Sequence, residues 1–384
     1  MSDETPTNEP SKLKVAIVCD WLTGIGGAEK VVYELHKIYP DAPIYTSQFD
    51  AKNLPEFAEA DVRTTWLQKL PKSLKKFLPV LRAWTFSRLD LSEYDLVISS
   101  SGAEAKGVKT GKNTVHVCYC HAPTHYYWIR YDEYLEHPGF PRGLNWLARF
   151  GLKLLVEPLR QWDKKAAKRP DYIVTNSNYT KDMIKKYYGR EAEVIFPPVD
   201  TERFKTAPSG VQRHGFVVAG RQTPYKRFDL AIEACDLINQ PLVVIGNGPD
   251  HARLEKIEKQ LKGRGTMFLT QVNDADMANH FQTAIAFIMP NMDDFGIVAV
   301  EAMSAGTPVV AFNKGGSQDY MIPDKTGLFF DKQDPKTLAQ ALEQASSKTF
   351  DYNAISKHAE QFSTLQFVKN MKEYINNVTK GQQA

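Results

Sequence analysis

The sequence predicts an α/β protein of two domains, each a parallel sheet covered by helices on both faces. Three observations carry that reading. The chain has 384 residues, about twice a comfortable single domain. Short β-branched runs alternate with longer stretches of helical period, the pattern of βα units that close a parallel sheet. The alternation occurs twice, with a proline-paired polar segment between the two series.

In the first series, strands are expected at 13–19, 42–47, 95–101, 114–120, 171–176 and 192–197, from runs such as LKVAIVC, DLVISSS and TVHVCYC. In the second they are expected at 215–220, 241–246, 266–270, 284–290, 308–312 and 327–330. Helical stretches fill the gaps in both. Between the series lies PPVDTERFKTAPSG (197–210), where paired prolines force an extended chain and the following residues are polar and small, so the hinge is placed there. Two helical segments follow residue 335, PKTLAQALEQAS and TLQFVKNMKEYINNV. The expected organisation is a disordered tail (1–12), a first domain (13–197), a second domain (198–362) and a C-terminal helix (363–380) that packs back on the first domain. Ligands of open parallel sheets bind beyond the C-terminal strand ends, so two such sheets facing across a cleft would line it with loops from both.

Composition is that of an ordinary soluble globular protein, with 42% hydrophobic and 24% charged residues, which excludes disordered and fibrous classes. No apolar run approaches the roughly 18 residues of a membrane span, and MSDETPTNEP lacks the apolar core of a signal peptide, so a cytoplasmic chain is expected. Cys19, Cys118, Cys120 and Cys235 are too few and too scattered for a disulfide framework. The net charge of +3 and the lack of a basic-aromatic fold signature argue against nucleic acid. The charge is unevenly spread. Residues 62–89 hold Arg63, Lys69, Lys72, Lys75, Lys76, Arg82 and Arg88 with no acid, interleaved with Leu, Phe and Trp and broken by Pro71 and Pro79. Such pieces suit either an anionic membrane surface, which would make the protein peripheral at the inner face of the cell membrane, or a solvated helical face.

Four patterns bear on chemistry. The first strand runs into a turn with Gly24, Gly26 and Gly27 that opens a helix. Bare backbone at a helix N-terminus can receive a diphosphate, though tight strand-to-helix turns use glycine without any ligand. In the second domain Arg221 and Lys226 flank a Thr-Pro turn after a strand, a fork and a point charge suited to one diphosphate; the alternative is a pair of solvated surface charges. Gly246, Asn247 and Gly248 form the next strand-to-helix turn, which suits either a base or ribose contact or an ordinary connection. Finally, a buried strand ends at Pro290, a turn carries Asp293, Asp294 and Gly296, and an apolar helix from about Ile297 contains Glu301. A carboxylate buried there needs hydroxyls, amides or a cation, and a sugar or ribose would supply them. Zinc is weighed at His116, Cys118 and Cys120 with His121 and His125 nearby, and set aside because same-face residues of one buried strand rarely converge on a tetrahedron.

The ordered set GIGGAEKV, CYCHAPTHYYW, GRQTPYKR, VVIGNGP and DDFGIVAVEAMSAGTPVVAF resembles the group 1 family of retaining glycosyltransferases with the two-Rossmann GT-B architecture. The branch it resembles most makes O-antigen and related surface polysaccharides by mannosyl transfer. The resemblance implies roles residue by residue. Arg221 and Lys226 would grip the donor diphosphate, with Gly26 and Gly27 closing over the same phosphates. Glu301 would bind the ribose, and Asp293 stands where the family has a Glu that contacts the donor sugar. Phe295, Gly296 and Ile297, together with Gly246 and Gly248, complete the implied donor site. His121 would lie against the sugar near the reacting carbon. The implied catalytic set is therefore His121, Asp293, Arg221 and Lys226. Its substrates would be a nucleotide sugar such as GDP-mannose and a glycan or lipid-linked acceptor, with no cofactor and no required metal. An epimerase of the same architecture, or a non-catalytic sugar-nucleotide or glycan-binding protein, stands as the alternative.

Overall fold

The computed structural model describes residues 13–24, 26–71, 79–136, 145–207, 210–261 and 265–380. The tail expected to be disordered (1–12), and Lys72, Lys75 and Lys76 of the basic stretch, lie outside the described residues. The chain divides into two compact units: one comprises residues 1–175, 183–193 and 371–384, the other residues 176–182 and 194–370.

The sheet of the first unit contains β1 (Val15–Cys19), β2 (Ile44–Thr46), β3 (Val62–Thr64), β4 (Leu96–Ser101), β5 (Val115–Cys120), β6 (Tyr172–Thr175) and β7 (Glu193–Val194). They lie in the order β3-β2-β1-β4-β5-β6-β7. Strand β1 runs parallel to both β2 and β4, so the strand order reverses beside it. Every residue of β1, β4 and β5 is buried, as expected of central strands covered by helices on both faces. Strand β3 lies just before the stretch 66–89 read as two amphipathic pieces, where the sequence reading expects no strand. It is a three-residue edge strand, half-buried to exposed, and its Arg63 donates to Asp61 and to the Tyr45 hydroxyl.

The sheet of the second unit contains β8 (Phe216–Ala219), β9 (Leu242–Ile245), β10 (Thr266–Leu269), β11 (Ala286–Met289), β12 (Val309–Phe312) and β13 (Gly327–Phe330), in the order β10-β9-β8-β11-β12-β13. All neighbouring pairs are parallel. One hydrophobic core runs through this unit, from Phe216 and Val217 on β8 to Phe350 and Ile355 near its end.

The stretch expected as a hinge is tied into the second unit's core. Val199 and Phe204 are buried, Val199 N–H donates to the Phe362 carbonyl at 3.1 Å, and Thr364 N–H donates to the Val199 carbonyl at 2.9 Å. The division between units falls at Val194. The C-terminal helix, Thr364–Lys380, belongs to the second unit through Asn370 and to the first from Met371, where Tyr374 meets Tyr172 edge to face at 6.5 Å.

A buried polar network stiffens the first unit beneath the CYCHAPTHYYW segment. Lys106 Nζ lies 2.7 Å from the Asp163 carboxylate with both side chains inaccessible to water. Asp163 also accepts from Thr124 Oγ1 (3.0 Å), Trp128 Nε1 (2.7 Å) and Tyr188 Oη (2.7 Å). Arg82 Nε donates to Glu104 at 2.8 Å, and Tyr126 shares the same carboxylate. Buried charge survives only when its remaining lone pairs and protons are met, and here they are. Thr124, Tyr126 and Trp128 of that segment therefore serve packing of the charges.

Candidate functional site

At the order reversal of the first sheet, β1 is followed directly by Asp20. Its buried carboxylate accepts from the amides of Gly102 (2.8 Å), Ala103 (2.9 Å) and Ala105 (2.7 Å) and from Ser101 Oγ (3.3 Å). Burial and the nearby Glu104 push this carboxyl upward, and the amides pull it back. The arrangement fixes the loop after β4 against the end of β1. His121, just past β5, is anchored beside it: its amide donates to the Ser101 carbonyl at 2.9 Å and its Nε2 pairs with Ser100 Oγ at 2.7 Å. One imidazole nitrogen is thereby committed to a serine on the adjacent strand, which sets the ring's orientation.

The glycine turn after β1 leads into the helix Gly27–Ile38, with Gly26 as its N-cap. Gly26 has an extended backbone open to any residue, and a Cβ there would meet only the movable Glu29 carboxylate, at 2.7 Å. Gly24 has nothing within 4 Å. Folding thus makes little demand for glycine at either position. Glu29 sits three residues into the helix, and its carboxylate turns back toward Gly26 and engages its own N–H. The chain's own carboxylate thus lies beside the first turn of this helix, a residue that the sequence reading did not single out. Burial, with Asp20 and Glu56 adding repulsion, pushes Glu29 up to about 7 from an ordinary 4.5. A carboxyl raised in the folded state stabilises below pH 4.5 and loses that contribution as pH rises through about 7. Glu29→Gln is expected to raise Tm at pH 8 and leave it nearly unchanged at pH 4; an equal shift at both pH values would contradict this placement.

His116, Cys118 and Cys120 lie inside the first sheet. The His116 ring is buried, paired through Nε2 with Ser99 at 2.8 Å, and held neutral by burial, with its pKa lowered to about 3. Among the described residues no group of three or more His, Cys, Asp or Glu side chains is placed to hold a metal ion.

In the second unit the sheet order reverses between β8 and β11, and the loops after both strands meet there. Lys226, in the short 3-10 turn Pro224–Lys226, pairs with the Asp293 carboxylate from the loop after β11; both side chains are largely shielded from water. Arg221, at the end of β8, is exposed and makes no ion pair among the described residues. The structure thus brings Lys226 and Asp293 together and leaves the Arg221 guanidinium extended into solvent.

Gly246 and Gly248 sit under this loop for a reason of packing. A Cβ on Gly246 would come within 2.2 Å of the Gly220 carbonyl, and one on Gly248 within 2.1 Å of the Gln222 carbonyl. Their glycine identity is accounted for by close backbone approach. Gln222, which sequence reasoning missed, joins the two loops. Fully buried, it donates from Nε2 to the Gly246 carbonyl at 2.7 Å, while its Oε1 faces His251 Nδ1 at 2.7 Å. Its amide donates to Asn247 and its carbonyl accepts from Asp250 N–H.

The loop after β11 is similarly clamped. Gly316 N–H donates to the Asp293 carbonyl at 2.9 Å, and side chains on Gly315 or Gly316 would strike the backbone of Asp293 and Asp294. That glycine pair is the signal by which the clamp could have been found in the sequence. Gly296 caps the helix Ile297–Ser304 at φ 100°, and a Cβ there would meet Met289 and the Tyr320 hydroxyl. The Phe295 ring is buried between Phe196 (5.7 Å) and Tyr320 (5.4 Å), so its backbone is the part that remains for a ligand. Ile297 is half-buried at the first helical position. Glu301 is buried, as its apolar helix implies, and lies within electrostatic range of Arg203. Asn291, buried in the same loop, leaves Nδ2 without a hydrogen-bond partner among the described residues, a cost that buried polar groups seldom carry without a role.

Residues 199–362 match the family model described as glycosyl transferases group 1, and residues 25–203 match glycosyltransferase family 4. The chain belongs to the group 1 glycosyltransferases. Among relatives of this family, it is 29% identical over 201 residues to a GDP-mannose-dependent alpha-(1-6)-phosphatidylinositol monomannoside mannosyltransferase of Mycobacterium tuberculosis, covering 45% of this chain and 51% of that protein. It is 27% identical over 201 residues to a D-inositol 3-phosphate glycosyltransferase of Streptomyces avermitilis, covering 45% of this chain and 43% of that one. The chain spans about half the length of the curated relatives it matches. The group 1 fold is also that of Anabaena Alr3699/HepE in complex with UDP-glucose, with a TM-score of 0.69, 20% identity and coverage of 95% and 100%. The lipopolysaccharide outer core galactosyltransferase WaaB shares it with a TM-score of 0.68, 16% identity and coverage of 95% and 99%. At such identities the likeness establishes the fold, the two-unit GT-B type.

Proposed function

We propose that this chain is a retaining, metal-independent hexosyltransferase that moves mannose from a nucleotide sugar to a hydroxyl of a glycan or lipid-linked oligosaccharide in surface-polysaccharide synthesis. The observation that carries the reading is the Lys226–Asp293 pair at the order reversal of the second sheet, with Arg221 exposed on the same loop. Ligands of such sheets gather at that point. In this reading Arg221 and Lys226 take the charge that develops on the departing diphosphate, a stabilisation that needs donors fixed in advance. Asp293 holds Lys226 until the donor arrives and then contacts sugar hydroxyls. Glu301 receives the ribose, and His121, oriented by Ser100, presents its imidazole to the sugar near the reacting carbon. The hydroxyl of the acceptor attacks the sugar on the face the diphosphate leaves, so the configuration is kept. Support for mannose comes from the mannosyltransferase among the relatives. A lipid-linked acceptor would place the protein at the inner face of the membrane, and no described helix is long and apolar enough to cross one.

A panel of nucleotide sugars, scored first by thermal shift and then by nucleotide release with and without lipid-linked acceptor in the presence of EDTA, tests this reading. GDP-mannose is expected to raise Tm, to be consumed only with acceptor, and to give the α-linked product. Conversion of donor without acceptor would mark an epimerase, and the lack of any response across the panel would mark a non-catalytic binder.

A further inference from the structure

The helix Asn145–Ala166 has two apolar stripes, and its core accounts for one of them. Val156, Leu159, Asp163 and Ala166 recur at three- and four-residue spacing and are all buried. They seat the C-terminal half of the helix in the first unit, where Leu159 packs with Ala83 and Tyr127. Continued toward the N-terminus, that stripe runs through Leu152, Arg149 and Asn145, none of which is buried. Trp146, Phe150 and Leu154 follow one another at four-residue spacing on the far side, 68%, 62% and 65% exposed, with the exposed Leu147 between them. Large apolar side chains on three consecutive turns, facing away from the core, need something to cover them.

Two features of the first unit say what covers them. From Asn145 to Val156 the only charges are Arg149, on the continuation of the core stripe, and Lys153, beside the exposed apolar stripe; Glu157, next on the exposed face, pairs with Arg160 at 3.8 Å. Arg149 is held there by the carbonyls of Leu135 (2.7 Å) and Glu136 (2.8 Å). Next, the helix Pro79–Phe86, joined to this one through Ala83 and Leu159 and through Trp162 Nε1 donating to Ser87 Oγ at 2.9 Å, repeats the combination. It exposes Val80, Leu81 and Trp84, with Trp66 packed on Trp84 at 6.4 Å and Arg88 over the Trp84 ring at 4.1 Å, within a stretch that holds no acid. Tryptophan, leucine and phenylalanine on one face with cations at its edge is the composition of a helix lying in an anionic lipid interface.

We propose that residues 145–155 form a membrane-inserting helix that docks the first unit on an anionic lipid bilayer, with Trp66, Val80, Leu81 and Trp84 entering beside it. The proposal deepens the lipid-linked acceptor reading and rests on it only for its purpose.

The test uses the full chain with vesicles of phosphatidylcholine alone or with 30% phosphatidylglycerol, as about one lipid in three, in co-sedimentation without donor or acceptor. Binding to the anionic vesicles is expected to exceed that to neutral ones at least tenfold. Phe150→Glu and Leu154→Glu, with Trp146→Ser as a milder variant, are expected to lower it at least tenfold while Tm stays unchanged, because these side chains are mostly exposed among the described residues. Lys153→Glu is expected to weaken anionic binding only. Absence of vesicle binding, equal binding to both vesicles, or binding indifferent to these variants would overturn the proposal. So would a dimer in sedimentation velocity that the same variants dissociate, which would assign the face to a second copy of the chain. Because no sugar transfer is measured, failure here leaves the transferase reading standing, and failure of the donor panel leaves this result standing.

Discussion

Lys226→Ala is expected to lower kcat by about 10²- to 10³-fold with the fold intact, the loss seen when one preorganised group facing developing charge is removed. Lys226 pairs with Asp293 and is largely shielded from water, so its charge acts at reduced dielectric. Its removal leaves Asp293 facing nothing positive at that contact, and donor affinity should fall as well, because the remaining carboxylate repels a diphosphate. Arg221→Ala should abolish nucleotide release through the other half of the same grip. Arg221 is exposed, so that variant should unfold at the wild-type temperature. Lys226→Arg separates charge from geometry: a fork in place of a compact ammonium should recover binding more than rate. The readout is kcat and KM for nucleotide release alongside Tm. Wild-type turnover in both alanine variants would remove the phosphate assignment altogether.

Asp293→Asn should divide the two tasks given to that carboxylate. Free nucleoside diphosphate is expected to bind several-fold more tightly, because Lys226 no longer has to leave an anionic partner. Transfer from the nucleotide sugar should fall by about 10²-fold, because the contact to the sugar hydroxyls weakens. Asp293→Glu reaches farther by one methylene, roughly 1.5 Å, and should keep transfer while changing preference among donor sugars. Titration calorimetry with nucleoside diphosphate and a donor panel on each variant distinguish the cases. An unchanged affinity for the diphosphate in Asp293→Asn would show that Lys226 is not held in reserve by this carboxylate.

The central strands were legible because burial on both faces writes itself as uninterrupted apolar runs, as in Val15–Cys19 and Val309–Phe312. Strand β3 was not, since a three-residue edge carrying Arg63 has neither length nor alternation to set it apart from the basic stretch around it. The burial of Glu301 could be read from a helix with no polar side to offer it. The meaning of Gly246 and Gly248 could not, because what excludes a side chain there is the backbone of residues 220 to 222, distant in sequence. Gln222 and Glu29 escaped for the complementary reason: nothing in their immediate neighbours marks a buried bridge between loops or a carboxylate turned back on a helix end. In the helix Asn145–Ala166 the spacing of Trp146, Phe150 and Leu154 was readable, but a core stripe has the same spacing, and only the burial of Val156, Leu159 and Asp163 tells the two sides apart.

The Gln222 bridge also bears on engineering. Since this one side chain fastens the segment after β8 to the segment after β9, neither can be exchanged alone without orphaning an amide inside the protein. Recombining donor preference among such chains therefore calls for grafting 220–227 and 246–251 as a single cassette, with the glutamine carried along.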